Sequence, residues 1–168
     1  MISEHAQKSK NLPPSGDCLQ PAGATSAARW LVSRATHPRD AWEDWAHGQP
    51  AMLRMGAHLE ALRLPAGLVH RAAGGEEPGV VREVFRRCGV GRGVIVGVHG
   101  WSYYVLVPPG TSRTRGDGRI ACAGPGDYLG VPAVERDAPP GSYWLLPPPE
   151  GPGELCDPAA VLTAVVAP

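Results

Sequence analysis

The sequence predicts an α+β fold, a mostly antiparallel sheet with flanking helices, and three observations carry that expectation. Short runs that alternate apolar and polar residues, or are rich in β-branched and aromatic ones, recur between Gly and Pro clusters and read as strands. Segments with apolar residues at helical spacing, opened by a capping residue or a proline, stand before, between and after them. The order is helix, helix, strand pair, helix, strands, helix, which is an α+β plan. No internal repeat interrupts it.

Residues 1 to 24 are polar and carry Pro13-Pro14-Ser15-Gly16 and Pro21-Ala22-Gly23, so they are expected to form a disordered N-terminal tail. The remaining residues, 25 to 168, suit one domain with a real core. Thr25 or Ser26 caps a first helix that runs through Ala27-Ala28-Arg29-Trp30-Leu31-Val32. A second follows His37-Pro38, with Pro where its missing N–H costs nothing and with Trp42 and Trp45 on one face as core anchors.

Gly48 ends that helix and Pro50 opens the central stretch Ala51 to Pro65, AMLRMGAHLEALRLP. Its two alternating runs, joined at Gly56-Ala57-His58, read as a strand pair. The second run, Leu59 to Leu64, stops at Pro65, which has no ladder donor. Ala66 to Ala72 fits neither period well and is broken by Gly74-Gly75. Pro78 starts a helix with Val80, Val81, Val84, Phe85 and Cys88 inside and Arg82, Glu83, Arg86 and Arg87 outside, ended by Gly89. Gly93 to Val98 and Ser102 to Val107 read as a hairpin across His99-Gly100-Trp101. Thr111 to Gly118 reads as an exposed loop, followed by strands at Ile120 to Ala123, Tyr128 to Val131 and Tyr143 to Leu146. Asp157 caps the last helix, with Pro158 in its first turn and Ala159 to Val166 running on.

Charge sets limits on partners. The formal net charge is zero, so nothing global draws the chain to nucleic acid or an anionic membrane. Locally, nine arginines face five acids from Glu60 to Arg119, whereas six acids face one arginine from Asp127 onward, which leaves the middle basic and the end acidic. Cys18, Cys88, Cys122 and Cys156 are widely spaced, without the close pair a zinc site needs, and read as buried thiols of a cytoplasmic protein. No apolar run has the length of a membrane span, and no membrane partner is expected.

Several motif readings are empty. No lysine lies beyond residue 10, so no phosphate-cradling loop ends in Lys-Ser/Thr. Gly89, Gly91 and Gly93 have the spacing of a dinucleotide loop but lie between a helix and a strand, the reverse of the required order. His99 has no Cys, Asp or Glu at metal-ligand spacing and reads as a turn residue. What remains is arginine. Arg82, Arg86, Arg87 and Arg92, joined by Arg113, Arg115 and Arg119, could form one basic patch that holds phosphates by paired N–H contacts. The alternative is a solvated helix face.

The element order and several short motifs resemble the N-terminal domain of bifunctional DNA primase/polymerases, the Prim-Pol domain of the archaeo-eukaryotic primase superfamily. WEDWAHGQPAMLRMG, beginning at Trp42, is similar to the family's tryptophan helix, proline and following strand. HLEALRLPAG stands where the family has G-L-apolar-apolar-L-D-apolar-D. HGWSYYVLV resembles its G-G-x-H-x-Y-F strand, and CAGPGDYLGVPAVERDAPPGSYWLLPPP its R-G-x-G-G-Y-V-x-x-P-P-S segment and the Y-x-W strand after it.

What the resemblance implies depends on the departures from it. In the family, two aspartates at alternate positions of one strand share a face and hold a divalent metal that activates the attacking hydroxyl and steadies the triphosphate. Here those positions are Arg63 and Pro65, and the family's nucleotide-contacting histidine falls at or near Ser102. Glu60 lies an odd number of residues from both and points to the other face. The resemblance therefore implies a Prim-Pol-like α+β fold that binds no metal through this strand, has no catalytic residues and needs no cofactor, retained as a nucleotide or single-stranded nucleic-acid binding module. Its phosphate-binding candidates are Arg63, Arg82, Arg86, Arg87, Arg113 and Arg115. Two further readings stand beside it: a protein-interaction adaptor docking through the acidic, proline-rich C-terminal part, and an active enzyme with a rebuilt metal site.

Overall fold

The computed structural model describes residues 20–114, 118 and 120–166. Most of the expected tail, together with Arg115 and Arg119, lies outside the described residues. Helix α1, Ser26–Val32, is capped by Thr25, whose hydroxyl accepts the Ala28 N–H at 3.2 Å. Helix α2, Pro38–Ala46, carries the two tryptophans, which meet edge to face at 5.6 Å. Both are half-buried anchors, and the Trp45 indole N–H donates to the Val131 carbonyl at 2.9 Å.

Strand β1, Ala51–Arg54, and strand β2, Glu60–Pro65, both form, but not as a pair. β1 joins β6, Tyr128–Val131, in a two-stranded ribbon with Ala51 opposite Val131. β2 is an inner strand of a five-stranded antiparallel sheet ordered β5-β2-β4-β3-β7. Its neighbours are β4, Ser102–Val107, and β5, Ala121–Ala123; beyond β4 come β3, Val94–Val96, and the edge strand β7, Tyr143–Leu146. The expected hairpin fails because the chain turns sharply at Gly56 and crosses from ribbon to sheet. Alternation reveals strands but not their partners. The β3–β4 hairpin forms as expected.

Two layers cover the sheet. On one face, Leu62 and Leu64 of β2 and Val94, Tyr103, Val105 and Val107 pack against three helices: α3, Ala66–Ala73; α4, Pro78–Arg87; and α6, Pro158–Val166. Val81 and Phe85 of α4 are fully buried there. The stretch after Pro65 with no clear period is thus helix α3, and burial of Val69 against this layer decides its state. On the other face, Ala61, Ile95, Leu106 and Trp144 meet Leu31 of α1 and Leu53, Leu129 and Val131 of the ribbon. The expected loop after Val107 begins instead with a helical turn, α5, Thr111–Thr114, whose Thr111 is buried. Asp157 accepts the Ala159 N–H at 3.0 Å at the start of α6, as its position predicts.

Of the four expected buried thiols, Cys156 is buried, Cys88 and Cys122 are half-buried and Cys18 lies outside the described residues; the Cys156 S–H donates to the Arg92 carbonyl at 2.9 Å. Burial pushes Cys156 from an ordinary 9.0 up to about 12. Tyr103 also rises, from 10.0 to about 12, from burial first and then from the nearby Tyr143 and Glu76. Both groups favour the neutral form when folded, so their contribution to stability is intact below their unfolded values and is lost as pH climbs toward 12. Native Cys156 should therefore resist iodoacetamide near neutral pH and react once urea unfolds the chain, as read by mass spectrometry. Native labelling as fast as that of the half-buried Cys88 would contradict this.

Candidate functional site

Alternation along neighbouring antiparallel strands places side chains of matching parity on one face. In β2 and β4 this aligns Arg63 with Tyr104 and Pro65 with Ser102. All four lie on the face turned toward the ribbon. The three positions singled out as a degenerate site thus come together, and the Arg63 Nε–H donates to the Ser102 hydroxyl at 3.2 Å. Pro65 ends β2, and the next residue, Ala66, starts α3 with its N–H donating to the Trp101 carbonyl at 2.9 Å.

Arg63, Ser102 and Tyr104 line an open cleft of about 380 Å³ between sheet and ribbon. Pro50, Leu129 and Gly130 form the ribbon side, and the β3–β4 hairpin contributes Val98, His99 and Trp101. Trp101 is 75% exposed, the most of any large apolar side chain among the described residues, and the His99 ring lies 5.0 Å from its indole. Gly97 lets Tyr104 lie close: a β-carbon there would stand 3.2 Å from the tyrosine ring. The lining carries a guanidinium, an imidazole and three hydroxyls but no carboxylate. Low-dielectric walls around an arginine focus its field on the cleft mouth.

Glu60 shows why no carboxylate reaches this cleft. It sits at the opposite end of β2, on the face of Leu62 and Leu64, fully buried. Its Oε1 accepts the Gly110 N–H at 3.0 Å and the Ser112 hydroxyl at 3.1 Å, and its Oε2 accepts the Ser112 N–H at 2.6 Å. The Cys122 S–H also lies 3.7 Å from Oε2. The carboxylate thus ties the start of α5 to β2, with Cys122 of β5 beside it. Among the described residues, no group of three or more His, Cys, Asp or Glu is placed to hold a metal ion.

The other arginines divide. Arg82, Arg86 and Arg87 ride on α4, in the helical layer on the opposite face from Arg63. Arg82 donates to the Leu145 carbonyl at 2.9 Å, and Arg87 pairs with Glu83 at 3.0 Å, an exposed contact worth well under about 1 kcal/mol. Arg92 lies between Glu150 and Glu154, at 3.7 and 3.6 Å. Arg86 is exposed on α4, and Arg113 is exposed on α5, the turn that Glu60 holds. Arg63 stands apart from the α4 arginines, across the sheet from them, and Arg115 and Arg119 of the expected basic patch lie outside the described residues. Trp101 and Tyr104 join the cleft without having been among the candidate residues; a tryptophan beside a glycine at a hairpin tip is the signal in the sequence that points to the first. Comparison with known proteins returns no matching family model, no matching curated protein and no matching solved structure.

Proposed function

We propose that the protein is a catalytically inactive relative of the primase/polymerase domain that binds a nucleotide or single-stranded nucleic acid in the Arg63 cleft. The supporting observation is the meeting of an exposed guanidinium and a bare indole in one cleft whose lining has no carboxylate. Arginine takes a phosphate by two parallel N–H bonds, and an indole stacks on a base whatever its identity. With Arg63 and Pro65 in place of the metal-binding aspartates, the anion is held by the side chain itself. Phosphoryl transfer through two carboxylate-bound ions has no ligands on the cleft face of this strand.

The test is quenching of tryptophan fluorescence by a deoxynucleoside triphosphate and by oligothymidylate at low salt. Binding should survive EDTA. Hydrogen bonds to a charged group are worth about 1.5–3 kcal/mol, so Arg63→Ala should weaken it about ten- to a hundredfold. Loss of binding in Arg86→Ala/Arg87→Ala with Arg63→Ala unaffected would move the site to α4. Magnesium-dependent primer extension would overturn the inactivity.

The adaptor reading has its own observation. Met52 and Tyr128 are 51% and 53% exposed on the ribbon, around a hollow that also contains Asp40 and Asp44 of α2. Absence of any nucleotide or nucleic-acid binding at low salt would leave that reading in its place.

A further inference from the structure

The cleft does not end at the ribbon. A second hollow of about 310 Å³ shares Pro50, Val98 and Ser142 with the first, so the two form one groove divided by a common wall. Its far side carries Arg136, with Trp45, Pro132 and Gly141 around it and no carboxylate in the lining. Each compartment lies near the lower end of the range that takes one small molecule.

Arg136 is held in place. Its Nη1 donates to the Pro140 carbonyl at 2.7 Å and its Nη2 to the Gly48 carbonyl at 3.5 Å. Its own carbonyl accepts the Trp144 N–H at 2.8 Å, which fastens the segment to β7. Those two bonds leave further N–H donors of the five on a guanidinium. Glu135 and Asp137 flank it in sequence, yet among the described residues neither Arg136 nor Arg63 makes an ion pair.

Resting on the nucleotide-binding reading of the first compartment, we propose that Arg136 forms a second anion subsite, and that the ligand is a single strand of nucleic acid placing phosphates in both compartments rather than a mononucleotide. Arg63 takes one phosphate beside a base stacked on Trp101. The strand then passes over the apolar wall of Pro50 and Val98, and Arg136 takes a later phosphate. An exposed arginine at one end, a half-buried arginine lining the other and apolar surface between them match the alternation of charge and base along a single strand. A mononucleotide seated with its phosphate on Arg63 and its base on Trp101 occupies the first compartment and leaves Arg136, in the second, without an anion.

The experiment compares thymidine monophosphate, a thymidine tetranucleotide and the matching uridine tetranucleotide, by tryptophan quenching, on wild type, Arg63→Ala, Arg136→Gln and Arg136→Lys. Wild type should bind a tetranucleotide about tenfold or more tighter than the monophosphate. Arg136→Gln removes the charge and keeps a polar side chain, though one too short to span the Pro140 and Gly48 carbonyls as the guanidinium does. It should erase that gain, leave monophosphate binding within about twofold, and lower the salt slope on the tetranucleotide by about 0.7, the loss of one phosphate contact. Retained monophosphate binding also certifies the fold of this variant, and Arg136→Lys should restore part of the gain. A gain on DNA, on RNA or on both supports the subsite and identifies the sugar. Equal affinity of wild type for monophosphate and tetranucleotides, or an undiminished gain in Arg136→Gln, overturns the second subsite while leaving the first compartment's reading standing. Failure of every probe to bind wild type overturns both.

Discussion

Glu60→Ala is expected to lower the free energy of unfolding by about 3 kcal/mol, because it strands three part-buried donors, and an unpaired donor costs about 1–3 kcal/mol where water cannot reach it. The donors are the Gly110 N–H, the Ser112 N–H and the Ser112 hydroxyl. The sum is held to the lower end because Ser112 is only half-buried, so water can reach part of what the carboxylate leaves. For a domain of this size the loss corresponds to a fall in melting temperature of roughly 6–12 °C. Glu60→Gln retains an acceptor oxygen, and its cost should be about half as large. Urea denaturation followed by far-ultraviolet circular dichroism measures all three proteins. A Glu60→Ala variant within about 0.5 kcal/mol of wild type, the range of an ordinary surface change, would show that this carboxylate does not organise α5.

Glu60 also marks where the sequence could be read and where it could not. Parity along β2 correctly separates Glu60, Leu62 and Leu64 from Ala61, Arg63 and Pro65. It does not tell which face is roofed by helices, because each set contains a charged residue among apolar ones. The donors that make a buried carboxylate tolerable come from a segment some fifty residues downstream, at Gly110 and Ser112. That segment is rich in Gly, Ser, Thr and Arg, and local chemistry alone reads it as a solvated loop. In the same way Ala51–Arg54 is legible as a strand from its alternation, while its partner Tyr128–Val131 is fixed by tertiary packing that no local pattern encodes.

In the candidate site, parity relates Arg63 and Pro65 within β2, Ser102 enters only through the resemblance, and what depends on space is not legible in the sequence. Arg63, Pro65 and Ser102 meet because two adjacent strands put them on one face. Counting arginines along the chain sums charges that the fold then separates, sending Arg82, Arg86 and Arg87 to the helical layer opposite Arg63. Arg136 shows the converse. It lies in the acidic part of the sequence, yet it is tied to the Gly48 and Pro140 carbonyls and faces the groove without an acidic partner among the described residues.

The second large effect is expected at Gly56. The chain passes from ribbon to sheet between β1 and β2, and returns from sheet to ribbon between β5 and β6; these two crossings stack on each other at Gly56 and Pro125. Gly56 has φ near +105°, and a β-carbon there would lie 2.6 Å from the Pro125 Cα and 2.8 Å from its N. An alanine therefore meets two costs: a backbone conformation that disfavours side chains, about 1–2 kcal/mol, and displacement of a neighbouring backbone, about 1–3 kcal/mol. Gly56→Ala should lose about 3 kcal/mol in urea denaturation. Gly74→Ala separates the two costs, since Gly74 has φ near +71° but nothing within 4 Å of its would-be β-carbon, and it should lose only the backbone term, about 1–2 kcal/mol. The larger loss has a functional consequence. Pushing Pro125 away shifts the start of β6, whose Leu129 and Gly130 form the wall facing Arg63, so Gly56→Ala should also weaken ligand binding while Gly74→Ala does not. Equal stability losses in the two variants would mean that the Gly56–Pro125 contact yields freely, and that the crossings do not set the width of the cleft.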